Sequence, residues 1–443
     1  MIKRPLITIA GSLLAAGAGT LLGSIAHAHA YRVRRRTVVV PSSGATSGES
    51  ATGPLRILHI SDTHLLTRQH KRRAFVRSLA GLEPDFVVLT GDLIAEPAAV
   101  AAILTDFGPL LNVPGAFVFG SNDYHGPRLK NPFVYIGGNT GKTADTTAES
   151  GDTSVLAAPA DAANHVPDPH PANSQHLPGQ PLPTDELRAG LASGGWIDLN
   201  NARAQVAVNG WELDLVGIDD PHIGLDRMPE ARQMPEIRGQ DGSAGQAEPT
   251  GQDRSPGTAH STATALSTAY STTTAPSTAR LKLALAHAPY TWVLDMMQED
   301  GANICFSGHT HGGQVNLPGS HALVTNCDLD CAYAKGLFEW SGTGSDSVSN
   351  QEAPTAPNAP TTPTTPNAPT TPTAPGDSSA QSRDRKPSSA RVIKKDGSIV
   401  LGNRMLAQIS AGIGTSPFTP VRTFCAPEAI ILDVVAAPGA AAN

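Results

Sequence analysis

Asp62 and His64 stand two residues apart directly after the apolar run 55–60, and Asp92 follows the run 86–89. Ser121-Asn122-Asp123 follows 116–119, His287 follows 281–286, and His309 with His311 follow 303–306. Carboxylates, imidazoles and a carboxamide, with no thiolate among them, form a donor set suited to Mn²⁺, Fe or Zn²⁺. A carboxylate such as Asp92 could bridge two such ions ~3.5–4 Å apart, and the pair would acidify a bridging water. The resulting hydroxide attacks a phosphorus in line while the cations and neighbouring imidazoles offset the growing equatorial charge, which is most of what phosphoryl hydrolysis asks of a protein.

Such residues need a scaffold that gathers distant strand ends at one rim. The runs 55–60, 86–89, 116–119, 213–218, 281–286 and 303–306 have the short, continuous apolar character of buried strands, and helical patterns fit 72–82, 97–107, 184–192 and 291–300. Strands alternating with helices predict an α/β domain whose sheet is covered on both faces, with ligands bound beyond the strand C-termini. Taken singly, Asp62 reads as a helix cap, His64 as a loop residue and Gly91-Asp92 as a turn. Their joint placement at successive strand ends favours a metal site instead. His59, inside the first run, reads as a packed structural histidine, and His222 as a loop residue outside the metal set.

In order and spacing these residues resemble the calcineurin-like metallophosphoesterases. Ser61-Asp62-Thr63-His64 looks like the family's D-x-H motif, Gly91-Asp92 its G-D motif, His287-Ala-Pro its lone histidine, and Gly308-His309-Thr310-His311-Gly312-Gly313-Gln314 its G-H-x-H motif. Gly217-Ile-Asp-Asp-Pro221 and Gly412-Ile-Gly-Thr-Ser416 resemble the membrane-associated bacterial branch. The resemblance implies a two-sheet sandwich flanked by helices. It also implies one metal held by Asp62, His64 and His311, a second held by Asn122, His287 and His309, and Asp92 between them. The third motif departs from the family, which has Gly-Asn-His where this chain reads Gly120-Ser121-Asn122-Asp123. Either Ser121 falls at the ligand position or a one-residue shift brings Asn122 there; the carboxamide oxygen is the better ligand. The missing histidine removes general-acid assistance, normally worth about 10²- to 10⁴-fold. His125 is one candidate to replace it; a leaving group that needs no proton is the other explanation.

The 443 residues carry 32 Lys+Arg against 39 Asp+Glu, a net charge of −7, which gives no basic face for nucleic acid. Tracts at 140–183, 229–279 and 341–390 are rich in Ser, Thr, Pro, Ala and Gly and too poor in large apolar residues to offset their ordering entropy, so they are expected to be disordered insertions in one domain spanning 54–437. The last of them is expected to split a β-hairpin between 336–340 and 405–409. Residues 1–30 read as a membrane anchor or signal segment and 31–53 as a basic juxtamembrane linker. The small-x-small sites at Ala26-His27-Ala28 and Ala28-His29-Ala30 leave secretion after cleavage as the alternative to an anchor. Arg32, Arg34, Arg35 and Arg36 favour a cytoplasmic domain, whereas the Ser/Thr/Pro tracts favour the outer face, which we prefer. Of four cysteines, Cys305 reads as core, and Cys327 with Cys331 could pair only if their loop allows it. Arg422 is expected to pair with Glu428 rather than meet a substrate phosphate.

The expected function is therefore a phosphodiesterase or phosphatase with a binuclear metal centre, acting on a phosphorylated small molecule or a lipid-linked or nucleotide-sugar pyrophosphate. The competing class is a catalytically impaired, membrane-tethered metal-binding scaffold. No G-x-S-x-G elbow and no Gly-rich loop ending in Lys-Ser or Lys-Thr support a serine hydrolase or an ATPase.

Overall fold

The computed structural model describes residues 17–41, 53–127, 179–230, 279–319, 321–342, 398–415 and 418–437. Most of the three expected insertions lies outside these residues. At their margins the chain is built into the fold: Leu182 is buried and donates its N–H to Tyr124 O, and Ser341 is buried.

Two sheets stack face to face. One runs in the order β13 (Ser398–Val400), β1 (Arg32–Val40), β15 (Glu428–Ala436), β2 (Leu55–Ile60), β3 (Phe86–Thr90), β4 (Gly115–Val118), β5 (Ile197–Asp198). The other runs β12 (Gly336–Glu339), β14 (Leu406–Ile409), β9 (Ile304–Ser307), β8 (Ala279–Leu285), β7 (Trp211–Gly217), β6 (Ala202–Val208). A short hairpin of β10 (Asn316–Leu317) and β11 (His321–Ala322) stands apart. Alternation along each strand sorts the core. Ile57, Phe86, Val88 and Val118 meet Leu213, Leu283, Ile304 and Phe306 between the sheets. The outer face of the first sheet, with Leu58, Val87, Leu89 and Phe117, is covered by Val76, Ile103, Phe107, Leu187 and Leu191. The outer face of the second, with Val216, Ala284 and Cys305, is covered by Val293, Leu294 and Met297.

The covering helices are α2 (His70–Ser78), α3 (Ala99–Phe107), α5 (Thr184–Ser193) and α6 (Thr291–Glu299), close to their expected bounds; a one-turn α4 (Ser121–Tyr124) follows β4. The two-sheet sandwich flanked by helices is thus the observed fold, each sheet with one face on the other and one on helices, whereas the strand pattern alone suggests a single sheet covered on both faces. The strands flanking the third tract pair antiparallel, Leu337 opposite Gln408 and Phe338 opposite Ala407. All four cysteines are free thiols, so Cys327 and Cys331 do not pair.

Residues 31–53, expected as a linker, supply β1, which lies parallel to β15 from Arg32↔Glu428 to Val40↔Ala436. The arginines that suggested a membrane-facing charge run find carboxylates on the neighbouring strand: Arg34 pairs with Glu428, and Arg35 lies 3.8 Å from Asp433. Val38 is fully buried between the sheets. Residues 17–27 form helix α1, whose end docks on the domain: Ser24 and Ala28 are buried, and Arg422 N donates to Ser24 O at 3.1 Å. Among the described residues no helix is long and apolar enough to cross a membrane, which corrects the expected transmembrane helix as far as these residues reach; residues 1–16 lie outside them.

His59 is fully buried, donor or acceptor to Thr90 Oγ1 at 2.9 Å and edge-on to Phe306, with Nδ1 unpartnered. Burial pushes its imidazole down to about 3. The folded protein therefore holds it neutral while the unfolded chain takes up a proton below its ordinary value of 6.5. The stability it contributes is complete above that value and is lost as pH falls toward 3. His59→Asn is expected to flatten the loss of stability between these limits, by up to about 1.4 kcal/mol per pH unit, in urea melts run beside the parent protein.

Candidate metal centre

The loops after β2, β3, β4, β8 and β9 converge on one rim, and their ligand residues share an unusual backbone. Asp62, His64, Asp92, His309 and His311 all have positive φ, between 38° and 65°. A left-handed conformation costs non-glycine residues about 1–3 kcal/mol each where it is strained, and it persists only where surroundings impose it. Here they do: Asp62 N donates to Gly91 O and His64 N to Asp92 O, both at 2.9 Å, lacing the first loop to the second. Gly120 and Gly308 leave room for the cluster's side chains, since a Cβ on either would collide with those of Asp92 and His287 or of Ser61 and Asp62.

Two groups of donors result, Asp62 with His64 and His311, and Asp62 with Asp92 and His287, all buried and each with its ligand atoms within 4.8 Å of one another. His64 Nε2 and His311 Nε2 face each other at 3.1 Å, and His311 Nε2 lies 3.7 Å from Asp62 Oδ1. Asp92 Oδ2 lies 3.5 Å from His64 Nε2 and 3.4 Å from His287 Nε2, one imidazole of each group. His287 Nδ1 is 2.6 Å from Thr90 O; donating there, it turns Nε2 inward, where it has no hydrogen-bond partner. This is how metal-binding imidazoles are commonly oriented. Facing lone pairs, an orphaned buried nitrogen and two carboxylates fit divalent cations.

The electrostatics agree with that fit. Burial would raise the Asp92 carboxyl, but His287, His64 and the Asn122 N–H outweigh it and hold it well below the usual carboxylate range. Burial would lower His287, but Asp92, Asp220 and Asp62 raise it well above its ordinary value. Asp62 is pushed up to about 6, by burial first and Asp92 among the other causes. A cation bound here would take the place of the proton on His287, because a coordinating imidazole must be neutral.

The remaining sequence candidates are placed as follows. Asn122 donates its backbone N–H to Asp92 Oδ1 and its amide to Asp92 Oδ2, both at 2.8 Å, while Ser121 stays one step farther out, 3.5 Å from the Asn122 amide. Asp123 turns away from the rim and accepts from Asp92 N, Leu93 N and Gly120 N at 2.7, 2.7 and 3.0 Å. His309 donates its N–H to the Asp62 carboxylate at 3.1 and 3.2 Å, but its Nε2 faces Asn326 O at 3.2 Å, outside both donor groups. His125 ends α4 with its backbone bridged to Pro181, and its ring makes no hydrogen bond with the cluster.

His222 is the residue the sequence undervalued. Its ring lies 4.7 Å from that of His309, and its Nδ1 is 2.9 Å from Tyr290 Oη. Only the Asp219-Asp220 pair before it pointed this way: Asp220 is fully buried, accepts from His222 N at 3.0 Å and keeps Oδ2 without a partner. Arg422, expected beside Glu428, is fully buried instead and donates to the carbonyls of Ala411 and Gly414 at 2.6 Å and of His311 at 3.2 Å. It ties the His311 loop to the 411–414 loop and cannot meet a substrate phosphate.

Residues 55–182 match the family model described as calcineurin-like phosphoesterase. That span contains Asp62, His64, Asp92 and Asn122; His287, His309 and His311 lie beyond it. No curated protein matches the chain.

Asp123→Ala would strand the N–H groups that hold the Asp92 loop. It is expected to cost about 2–5 kcal/mol in urea denaturation and to lower bound metal measured by elemental analysis, whereas Ser121→Ala leaves both nearly unchanged.

Proposed function

We propose that this chain is a phosphoester hydrolase working with two divalent cations, Mn²⁺, Fe or Zn²⁺. The observation that carries the proposal is the sharing of ligands: Asp62 belongs to both donor groups, and Asp92 Oδ2 lies within 3.5 Å of one imidazole from each. The family match over residues 55–182 supports the same chemistry. Such a pair, when bound, neutralises phosphoryl charge and supplies a nucleophile from water at neutral pH.

The chain's own residues do the positioning. Thr90 O fixes which nitrogen of His287 faces inward. Asp123 accepts the Asp92 backbone N–H, Asn122 donates to both oxygens of the Asp92 carboxylate, and Arg422 braces the His311 loop. We take Asn122 and His309 as further ligands of the second ion, with Asn122 turning its carboxamide oxygen inward and His309 leaving Asn326 O. With no histidine in the third motif, the leaving group departs without strong proton assistance, so diesters with stabilised leaving groups and pyrophosphates suit the site better than alkyl monoesters. A substrate held at a membrane, lipid-linked or a nucleotide-sugar pyrophosphate, accords with an N-terminal segment inserted in the cell membrane and the domain on its outer face. Leu21 and Leu22, 55% and 67% exposed on α1, support that placement.

The test is hydrolysis of bis-p-nitrophenyl phosphate and p-nitrophenyl phosphate by the full-length chain in neutral detergent, chelated and then refilled with each metal, beside Asp92→Asn. Expected are metal-dependent turnover favouring the diester and a fall of at least about 10²-fold in the variant. Two ions bound per chain without turnover on either substrate would point to the metal-binding scaffold instead.

A further inference from the structure

A second pocket opens at the same rim, on the β1 flank of the sandwich. Its volume is about 220 Å³, several times the ~30 Å³ a water claims in the liquid. Strand register explains its lining. Arg34, Arg36 and Val38 alternate on the face of β1 that looks between the sheets, as Glu428, Ile430 and Leu432 do on β15 and Leu406 and Gln408 on β14. Val38, Leu432 and Leu406 close the apolar core; one or two steps nearer the rim the same interlayer space is lined by Arg34, Arg36, Glu428, Ile430 and Gln408, with Lys335 entering ahead of β12.

The charges there do not balance. Glu428, 2% exposed, is committed to Arg34 and to Ala411 N at 3.1 Å. Arg36 and Lys335 have no carboxylate partner among the described residues: Arg36 touches only Arg35 O at 3.4 Å, and Lys335 Nζ lies 3.4 Å from Cys425 Sγ. Two uncompensated cations in a concave site, in a chain of net charge −7, mark it for an anion. Gln408, 1% exposed, adds a second requirement. Its amide nitrogen faces Gly336 O and Ile409 O at 3.4 and 3.3 Å, which fixes its orientation and leaves Oε1 buried without a donor. The ligand should thus bring negative charge and a hydroxyl together.

We propose that this pocket binds a phosphate group that bears or adjoins a hydroxyl, with Arg36 and Lys335 on the phosphate oxygens and Gln408 Oε1 accepting from the hydroxyl. Free phosphate satisfies this chemistry, as does the headgroup of an anionic phospholipid such as phosphatidylglycerol. The pocket is separate from the metal ligands and does not depend on the hydrolase reading.

The test uses the full-length chain in neutral detergent, stripped of metal by chelation, titrated calorimetrically with inorganic phosphate. Expected is binding that survives chelation and weakens by about tenfold or more in Arg36→Gln and in Lys335→Gln, consistent with loss of one charge-assisted hydrogen bond each. Both side chains are part-exposed, so folding should persist; a melting temperature matching the parent confirms it, and Lys335→Arg should restore binding. Binding that vanishes on chelation, or that neither Gln substitution weakens, would overturn the proposal. Competition from phosphatidylglycerol added to phosphatidylcholine bilayer discs identifies a headgroup as the occupant, and its absence identifies free phosphate.

Discussion

Two carboxylates and several imidazoles share one buried rim, and a buried charge is tolerated only where opposite charge and hydrogen bonds compensate it. Asp92 is the centre of that compensation. His287 and His64 face one of its oxygens, Asn122 reaches both, and Asp123 accepts the backbone N–H groups around it. These partners come from three strand ends, those of β2, β4 and β8, so the sheet order is the condition for the site: β2, β3 and β4 are adjacent in one sheet, β8 and β9 in the other. The arrangement suits cations, because the three carboxylates around His287 that raise its pKa mark where positive charge is favoured.

Holding these groups together forces the backbone into conformations that side chains disfavour, and the supporting residues are accordingly as particular as the ligands. Asp123 stands behind the G-D loop and Arg422 behind the G-H-x-H loop, one a buried carboxyl accepting N–H groups, the other a buried guanidinium donating to carbonyls. They are mirror solutions to one problem: loops that leave strand ends to point side chains at a ligand lose their ladder partners and need others.

Much of this was legible in the sequence. Strands β2, β3, β8 and β9 and their terminal Asp and His residues stood out because continuous apolar runs break off at polar residues, which is what buried parallel strands do at a ligand-binding edge. Loop length alone does not set which of Ser121 and Asn122 turns inward; the structure brings Asn122 to the cluster, as a donor to Asp92. Arg422 was misjudged because a cation near a carboxylate in sequence suggests an ion pair, whereas here Glu428 is taken by Arg34 from a strand nearly the whole chain away. β1 was missed for the same reason: its arginines looked like a juxtamembrane charge run, whereas β15 supplies carboxylates to Arg34 and Arg35. His222 lay in a loop with no periodicity to place it and was found only through its contact with His309.

The position of β1 also bears on how the chain acquires its structure. Arg34 and Glu428 are separated by 394 residues, yet β1 lies between β15 and β13, both made long after it. Pairings of such long sequence separation form late, because closing a loop precedes any gain from the contact, although the added cost grows only logarithmically with the length of intervening tracts. β1 must therefore wait through synthesis of nearly all of the 394 residues that separate Arg34 from Glu428 before its neighbours exist. Until they arrive Arg34 and Arg35 lack the carboxylates of Glu428 and Asp433, so the waiting strand is an open edge kept from mispairing by its own positive charge.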